Sequence, residues 1–110
     1  MRGASQTVYM SGPITGVLQS RLTFKETEMW LSYQGHTVIN PMDIEDPVEN
    51  LEKEELWVYY MKEALSLLFS ADCIYMMEGW EASRGARMEF WTATKLNIPV
   101  HFAHEDHKYV

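Results

Sequence analysis

The stretch that decides the fold runs from residue 72 to 89: Asp72-Cys73-Ile74-Tyr75-Met76-Met77-Glu78-Gly79-Trp80-Glu81-Ala82-Ser83-Arg84-Gly85-Ala86-Arg87-Met88-Glu89. After its opening aspartate the first part is apolar without interruption, the pattern of a strand buried on both faces. A glycine-bearing loop follows. Beyond it, Ala86, Phe90 and Ala93 recur at helical spacing, which predicts an inward face on a helix reaching about Leu96. Ser83 stands where a helix N-cap is needed, and Gly85 opens the first turn. A buried strand that passes through a glycine loop into an amphipathic helix is half of a parallel βαβ unit.

The same punctuation recurs on either side. Upstream, Thr7-Val8-Tyr9-Met10 is a short β-rich run, ended by Ser11-Gly12-Pro13-Ile14-Thr15-Gly16. A helix is expected from about Leu18 to Gln34, with Phe24, Thr27 or Glu28, and Leu31 inward and Gly35 as its stop. His36 to Ile39 reads as a second strand, broken by Asn40-Pro41. After a loop rich in Asp, Glu and Pro, the stripe Leu56, Tyr60, Ala64, Leu67, Leu68 predicts a second long helix. Pro99 to Phe102 reads as the last strand, followed by a polar tail. Strands alternating with helices imply an α/β fold: a flavodoxin-like (Rossmann-like) three-layer sandwich on a small parallel sheet of four to five strands, with right-handed crossovers. Ligands in such folds sit beyond the carboxyl ends of the strands, which selects the loops Ser11–Gly16 and Glu78–Gly85.

Composition bounds the rest. A chain of 110 residues, 46% of them apolar, suits one domain spanning residues 1–110 with one core. It shows neither a long apolar run nor a signal-peptide pattern, so no membrane partner is expected. The single cysteine, Cys73, has no intrachain disulfide partner and reads as a small packed residue, which fits a cytoplasmic setting. A net charge of −7 argues against duplex nucleic acid as a partner, because such partners require a basic stripe. The acidic stretch from Glu45 to Glu55 reads as a solvated loop and helix start.

The first glycine loop lets backbone amides approach a ligand, but it matches neither the Walker pattern nor the dinucleotide fingerprint, and a plain tight turn fits it equally well. The second offers free amides and a helix dipole to an anion. Arg84 and Arg87 could add charge there or remain solvated. Glu89 lies at the edge of the inward stripe of its helix, where a carboxylate is costly without partners or a task; helical spacing alone leaves a surface glutamate open as well. His101, His104 and His107 repeat every third residue. Their segment begins as a strand, where that period does not hold side chains on one face, so no metal site is expected.

The pattern Tyr9-Met10-Ser11-Gly12-Pro13-Ile14-Thr15-Gly16, with Asn40-Pro41, Ala71-Asp72 and Gly79 through Glu89, resembles short phage and bacterial proteins akin to the nucleoside 2-deoxyribosyltransferase superfamily. That superfamily also includes the 2'-deoxynucleoside 5'-monophosphate N-glycosidases. The likeness extends from Tyr9 to about Phe102. It implies that Glu89 attacks the anomeric carbon of a nucleotide, with Tyr9 orienting it, and that no cofactor is needed. An N-glycosidic bond breaks through an oxocarbenium-like state, which a carboxylate can stabilise or capture. Ser83 stands where the transferases carry an acidic residue and the monophosphate hydrolases a serine, which favours a 5'-phosphate held by Ser83, Gly85, Gly12 and Thr15, with Gly16 a further substrate-binding candidate. Trp80 is open to stacking on a base or to packing. The resemblance further implies a small-molecule nucleotide or nucleoside partner and a homodimer or higher homo-oligomer.

The chain departs from the family pattern at two positions. Ala64 replaces an aspartate with an acid/base or sugar-binding role, and neighbouring Glu63 lies about 100° away around the helix. Thr15 stands where the hydrolases place an arginine. The alternative reading is a phage or prophage protein that binds or sequesters a nucleotide without turning it over.

Overall fold

The computed structural model describes residues 4–14 and 17–104. Seven principal elements follow one another: β1 (Thr7–Ser11), α1 (Val17–Tyr33), β2 (Thr37–Ile39), α2 (Lys53–Phe69), β3 (Cys73–Met76), α3 (Arg84–Lys95) and β4 (Val100–Phe102). Single 3-10 turns at Pro41–Asp43 and Trp80–Ala82 lead out of β2 and β3. The four strands form an all-parallel sheet in the order β2-β1-β3-β4. From β1 the chain crosses to one side for β2 and to the other for β3. The direction of winding therefore reverses between β1 and β3, and their carboxyl ends diverge around a crevice.

Strand alternation divides the core into two layers. Val8, Met10, Cys73, Tyr75 and Met77 face α1, where Phe24 and Leu31 complete the cluster. Tyr9, Ile74 and Met76 face the other way, against Ala64 and Leu68 of α2 and Ala86 and Ala93 of α3. Helices thus cover both faces, giving the predicted three-layer arrangement.

Helix ends follow local chemistry. Gly35 closes α1 at φ 94°, while the His36 amide donates to the Leu31 carbonyl at 3.2 Å and the Gly35 amide to Ser32 at 2.9 Å. That is a Schellman closure, which needs a left-handed residue. A Cβ at position 35 would meet nothing within 4 Å, so backbone conformation rather than space accounts for the glycine. Asn97, at φ 57°, closes α3 in the same way, with the Ile98 amide bonded to Ala93 at 2.8 Å. Asp72 ties the amino ends of β1 and β3 together by accepting from the Thr7 amide at 2.8 Å, at the end of the sheet away from the crevice.

Two predicted stripes are rotated. On α2 the buried residues are Met61, Ala64 and Leu68, whereas Leu56, Tyr60 and Leu67 are only half-buried. On α3 they are Ala86, Glu89 and Ala93, with Phe90 at the flank. Positions i, i+3 and i+7 lie under the sheet in both helices, so Glu89 stands within the inward stripe rather than beside it. Among the described residues no helix is long and apolar enough to cross a membrane.

Candidate active site

A cavity of about 390 Å³ opens at the carboxyl ends of β1 and β3. Gly12 and Ile14 line it from the first loop, Arg21 and Phe24 from α1, and Pro41, Met42, Ile44 and Asp46 from the segment after β2. Tyr60, Met61 and Ala64 contribute from α2, and Ser83, Gly85, Ala86 and Glu89 from the α3 side. Its size falls within the range of about 300–1,000 Å³ usual for small-molecule sites, and its mostly apolar wall with a few polar groups is the usual composition.

Glu89 is the buried charge of this cavity, with 6% of its surface exposed. The Tyr9 hydroxyl donates to Oε2 and the Ser11 hydroxyl to Oε1 at 2.6 Å. Both donors come from β1, two residues apart, so the strand's period of two aims them at the same helix. Burial pulls the Glu89 carboxyl above its usual range, against the opposing effect of the Ser11 and Tyr9 donors. Tyr9 is held well above its ordinary value, first by burial and then by the adjacent carboxylate, so it remains a donor. The outcome is a carboxylate gripped on both oxygens by one strand in a weakly solvated wall, an arrangement with the chemistry to stabilise or capture a cationic carbon were one bound beside it.

Ser83 caps α3: its hydroxyl accepts from the Ala86 amide at 3.2 Å. The same residue and Gly85 border the cavity, which brings the start of α3 and Glu89 together. Gly12 also borders the cavity, and a Cβ there would stand 2.9 Å from the Met77 Cβ, so a side chain at this position would force the chain or Met77 to shift. Thr15 and Gly16 lie outside the described residues.

Trp80 is turned elsewhere. Its ring packs against Phe90 at 4.6 Å and Phe102 at 6.1 Å between centroids, outside the cavity lining. Of the two readings open for this residue, the geometry displays packing. Arg84 forms a paired hydrogen bond with Glu54 at 2.8 and 3.0 Å and lies 3.5 Å over the Trp57 ring. Arg87 donates to the Glu81 carbonyl at 2.9 Å. Neither lines the cavity. Glu63 borders a separate acidic recess with Asp43, Glu45 and Tyr59.

Cys73 is fully buried, and burial pushes its thiol up to about 11, consistent with an unreactive packed residue. His101 lies in β4 and His104 stacks near Phe102 at 5.4 Å; His107 lies outside the described residues.

Sequence reasoning did not single out Ser11, which holds Glu89 from a fully buried position, nor the polar cavity-lining residues Arg21, Asp46 and Tyr60. Ser11 was legible, since it shares a strand face with Tyr9. Arg21 stands on a helix whose exposed face gives no sign of a neighbouring cavity. Asp46 belongs to an irregular acidic loop without periodicity, and Tyr60 read as a core position. Asn40 shapes this wall: its side chain accepts from the Met42 amide at 2.9 Å and donates to Glu28 at 3.0 Å, fixing the turn that presents Pro41 and Met42.

The family model described as "Domain of unknown function (DUF4406)" matches residues 6–102. Comparison with curated proteins gives no match. Among solved structures, the 2-deoxyribosyltransferase of the psychrotolerant bacterium Bacillus psychrosaccharolyticus, described as a biocatalyst for nucleoside synthesis, is similar with a TM-score of 0.69. At 21% identity, the likeness covers 87% of this chain and 70% of that one, and it establishes a shared fold.

Proposed function

We propose, from the premise that the chain belongs to the DUF4406 family, that it hydrolyses or transfers at the N-glycosidic bond of a nucleoside 5'-monophosphate, with Glu89 as nucleophile. The observation that carries this reading is a carboxylate that is buried, doubly hydrogen-bonded and part of a cavity wall at the carboxyl ends of β1 and β3. The fold shared with a 2-deoxyribosyltransferase supports it.

In the first step an oxygen of Glu89 forms a bond to the anomeric carbon. The carbon–nitrogen bond breaks, and the base departs with the electron pair and takes up a proton. Apolar neighbours such as Met61 and Ala86 keep bulk water from competing for the developing cation. Ser83 and Gly85, at the start of α3, offer the hydroxyl and helix end that suit a phosphate. Arg21 supplies the balancing charge, since it is the one cation of the cavity wall among the described residues. Thr15 and Gly16 belong to the same proposal, as do a homo-oligomeric assembly and a cytoplasmic setting.

The test is a panel of deoxynucleosides and their 5'-monophosphates, followed by chromatography of released base. Release from monophosphates, lost in Glu89→Ala, is the expected result. No base from any substrate, with Glu89→Ala indistinguishable from wild type, rejects catalysis. The presence of Ala64 in the wall favours a second reading, a protein that binds the nucleotide without turning it over. Thermal stabilisation by nucleotides without base release would select it.

A further inference from the structure

We propose that Asp46 is the second catalytic carboxylate of this cavity, held in place by Tyr60, and that it is the base that activates water or an acceptor; the inference rests on the reading of Glu89 given above. Among the described residues, two carboxylates line the cavity, Glu89 from α3 and Asp46 from the segment between the Pro41–Asp43 turn and α2. Chemistry at an anomeric carbon divides the work between two such groups, one attacking and the other moving a proton.

Their surroundings differ in the way that division requires. Glu89 is buried with a donor on each oxygen, which suits a group that must form and break a bond in a fixed position. Asp46 is exposed to solvent and so in reach of water. The Tyr60 hydroxyl donates to its Oδ1. The preceding residue is pinned as well, because the Tyr59 hydroxyl donates to the Glu45 carbonyl at 3.1 Å. Adjacent tyrosines thus fasten adjacent loop residues to α2, their rings edge to face at 5.3 Å. Irregular backbone gains a defined place for one carboxylate, as a catalytic group requires. Tyr60 stays a donor at any working pH, because its bond to Asp46, and secondly burial, push its hydroxyl up to about 12. Ala64, one turn along α2, meets the cavity with a methyl group only and leaves room there.

The step balances. Once Glu89 holds the sugar as an ester, a water oxygen bonds to the anomeric carbon while Asp46 takes the water's proton. The bond from the carbon to Glu89 breaks and its electron pair returns to the glutamate. Asp46 then releases the proton to solvent, matching the one taken up by the departing base. When the acceptor is a second base, its N–H proton takes the place of the water's.

The test compares wild type with Asp46→Asn, Tyr60→Phe and Glu89→Ala on the nucleoside monophosphate panel, by rapid quench and intact-protein mass spectrometry. Asp46→Asn is expected to release one equivalent of base in a burst, to accumulate glycosylated protein, and to fall about 10²–10⁴-fold in steady turnover. Sodium azide should restore its turnover and yield a glycosyl azide, since azide needs no deprotonation. Tyr60→Phe should show a smaller burst and a milder fall, also relieved by azide. Turnover of Asp46→Asn equal to wild type, with Glu89→Ala inactive, overturns the assignment of Asp46 and leaves Glu89 standing. Loss of the burst together with turnover, without azide rescue, also overturns it. No base release by wild type removes the Glu89 reading and this assignment with it.

Discussion

Replacing Glu89 with glutamine should abolish base release and make the protein more stable. An ionised carboxylate taken out of water costs several kcal/mol, and hydrogen bonds to a charged group return about 1.5–3 kcal/mol each. Glu89 has two such bonds, from Tyr9 and Ser11, yet its carboxyl is still pulled upward, so burial outweighs them. Glutamine keeps both contacts: Tyr9 donates to the amide oxygen, and the amide nitrogen donates to Ser11. It removes the buried charge. A gain of about 1 kcal/mol is therefore expected near neutral pH, at the scale typical of relieved functional strain, or roughly 4 °C in Tm for a chain of this size. The pH dependence carries the stronger test. A carboxyl raised in the folded state adds stability that is fully present below its ordinary value of 4.5 and is lost as pH rises through the folded value. The advantage of Glu89→Gln should hence be absent in acid and open as pH rises. Thermal melts of both proteins from about pH 4 to about pH 7.5 measure it. A variant that melts below wild type near neutrality, or a difference that does not vary with pH, refutes the reasoning.

Tyr9→Phe and Ser11→Ala each remove a donor that holds Glu89 ionised. Either should move the acidic limb of the pH–rate profile to higher pH and lower turnover roughly 10- to 100-fold, as loss of a bond worth about 1.5–3 kcal/mol implies. Gly12→Ala sets a Cβ 2.9 Å from the Met77 Cβ and 3.1 Å from its sulfur; the chain or Met77 must shift, and a destabilisation of about 1–3 kcal/mol is expected in denaturant melts. Arg21→Ala should raise KM for monophosphates and leave nucleosides unaffected, whereas Arg84→Ala, which removes a partner of Glu54 and Trp57, should leave that ratio unchanged. A loss of discrimination in Arg84→Ala alone would move the phosphate to the outer side of α3.

The order of elements was legible because it depends on local patterns. The apolar run at 73–77, the stop at Gly35 and the cap at Ser83 each express a short-range rule, and each stands as expected. The rotations of α2 and α3 were less legible. Tyr60 and Phe90 carry large rings that can pack as well as Met61 does, so periodicity alone could not say which flank the sheet would cover. A buried glutamate is the least expected occupant of an inward stripe, and hydropathy placed it at the edge. Trp80 was undecided for a related reason: a ring stacks equally well on a base or on Phe90, and composition does not distinguish them.

The sequence by itself determined an alternating α/β chain, the two loops beyond its strands, and the carboxylate worth watching. The first two follow from periodicity, glycine placement and the burial rules of a parallel sheet; Glu89 stood out through the motif resemblance, because helical spacing alone left a surface glutamate open. Only the tertiary structure decided which groups meet. Ser11 and Tyr9 converge on Glu89 across 78 and 80 residues of chain, and Asp46 is fastened to Tyr60 over 14. Such contacts depend on how far each helix rotates as it packs and on where an irregular loop is pinned. Both are settled by long-range packing energies that leave no periodic trace in the order of residues.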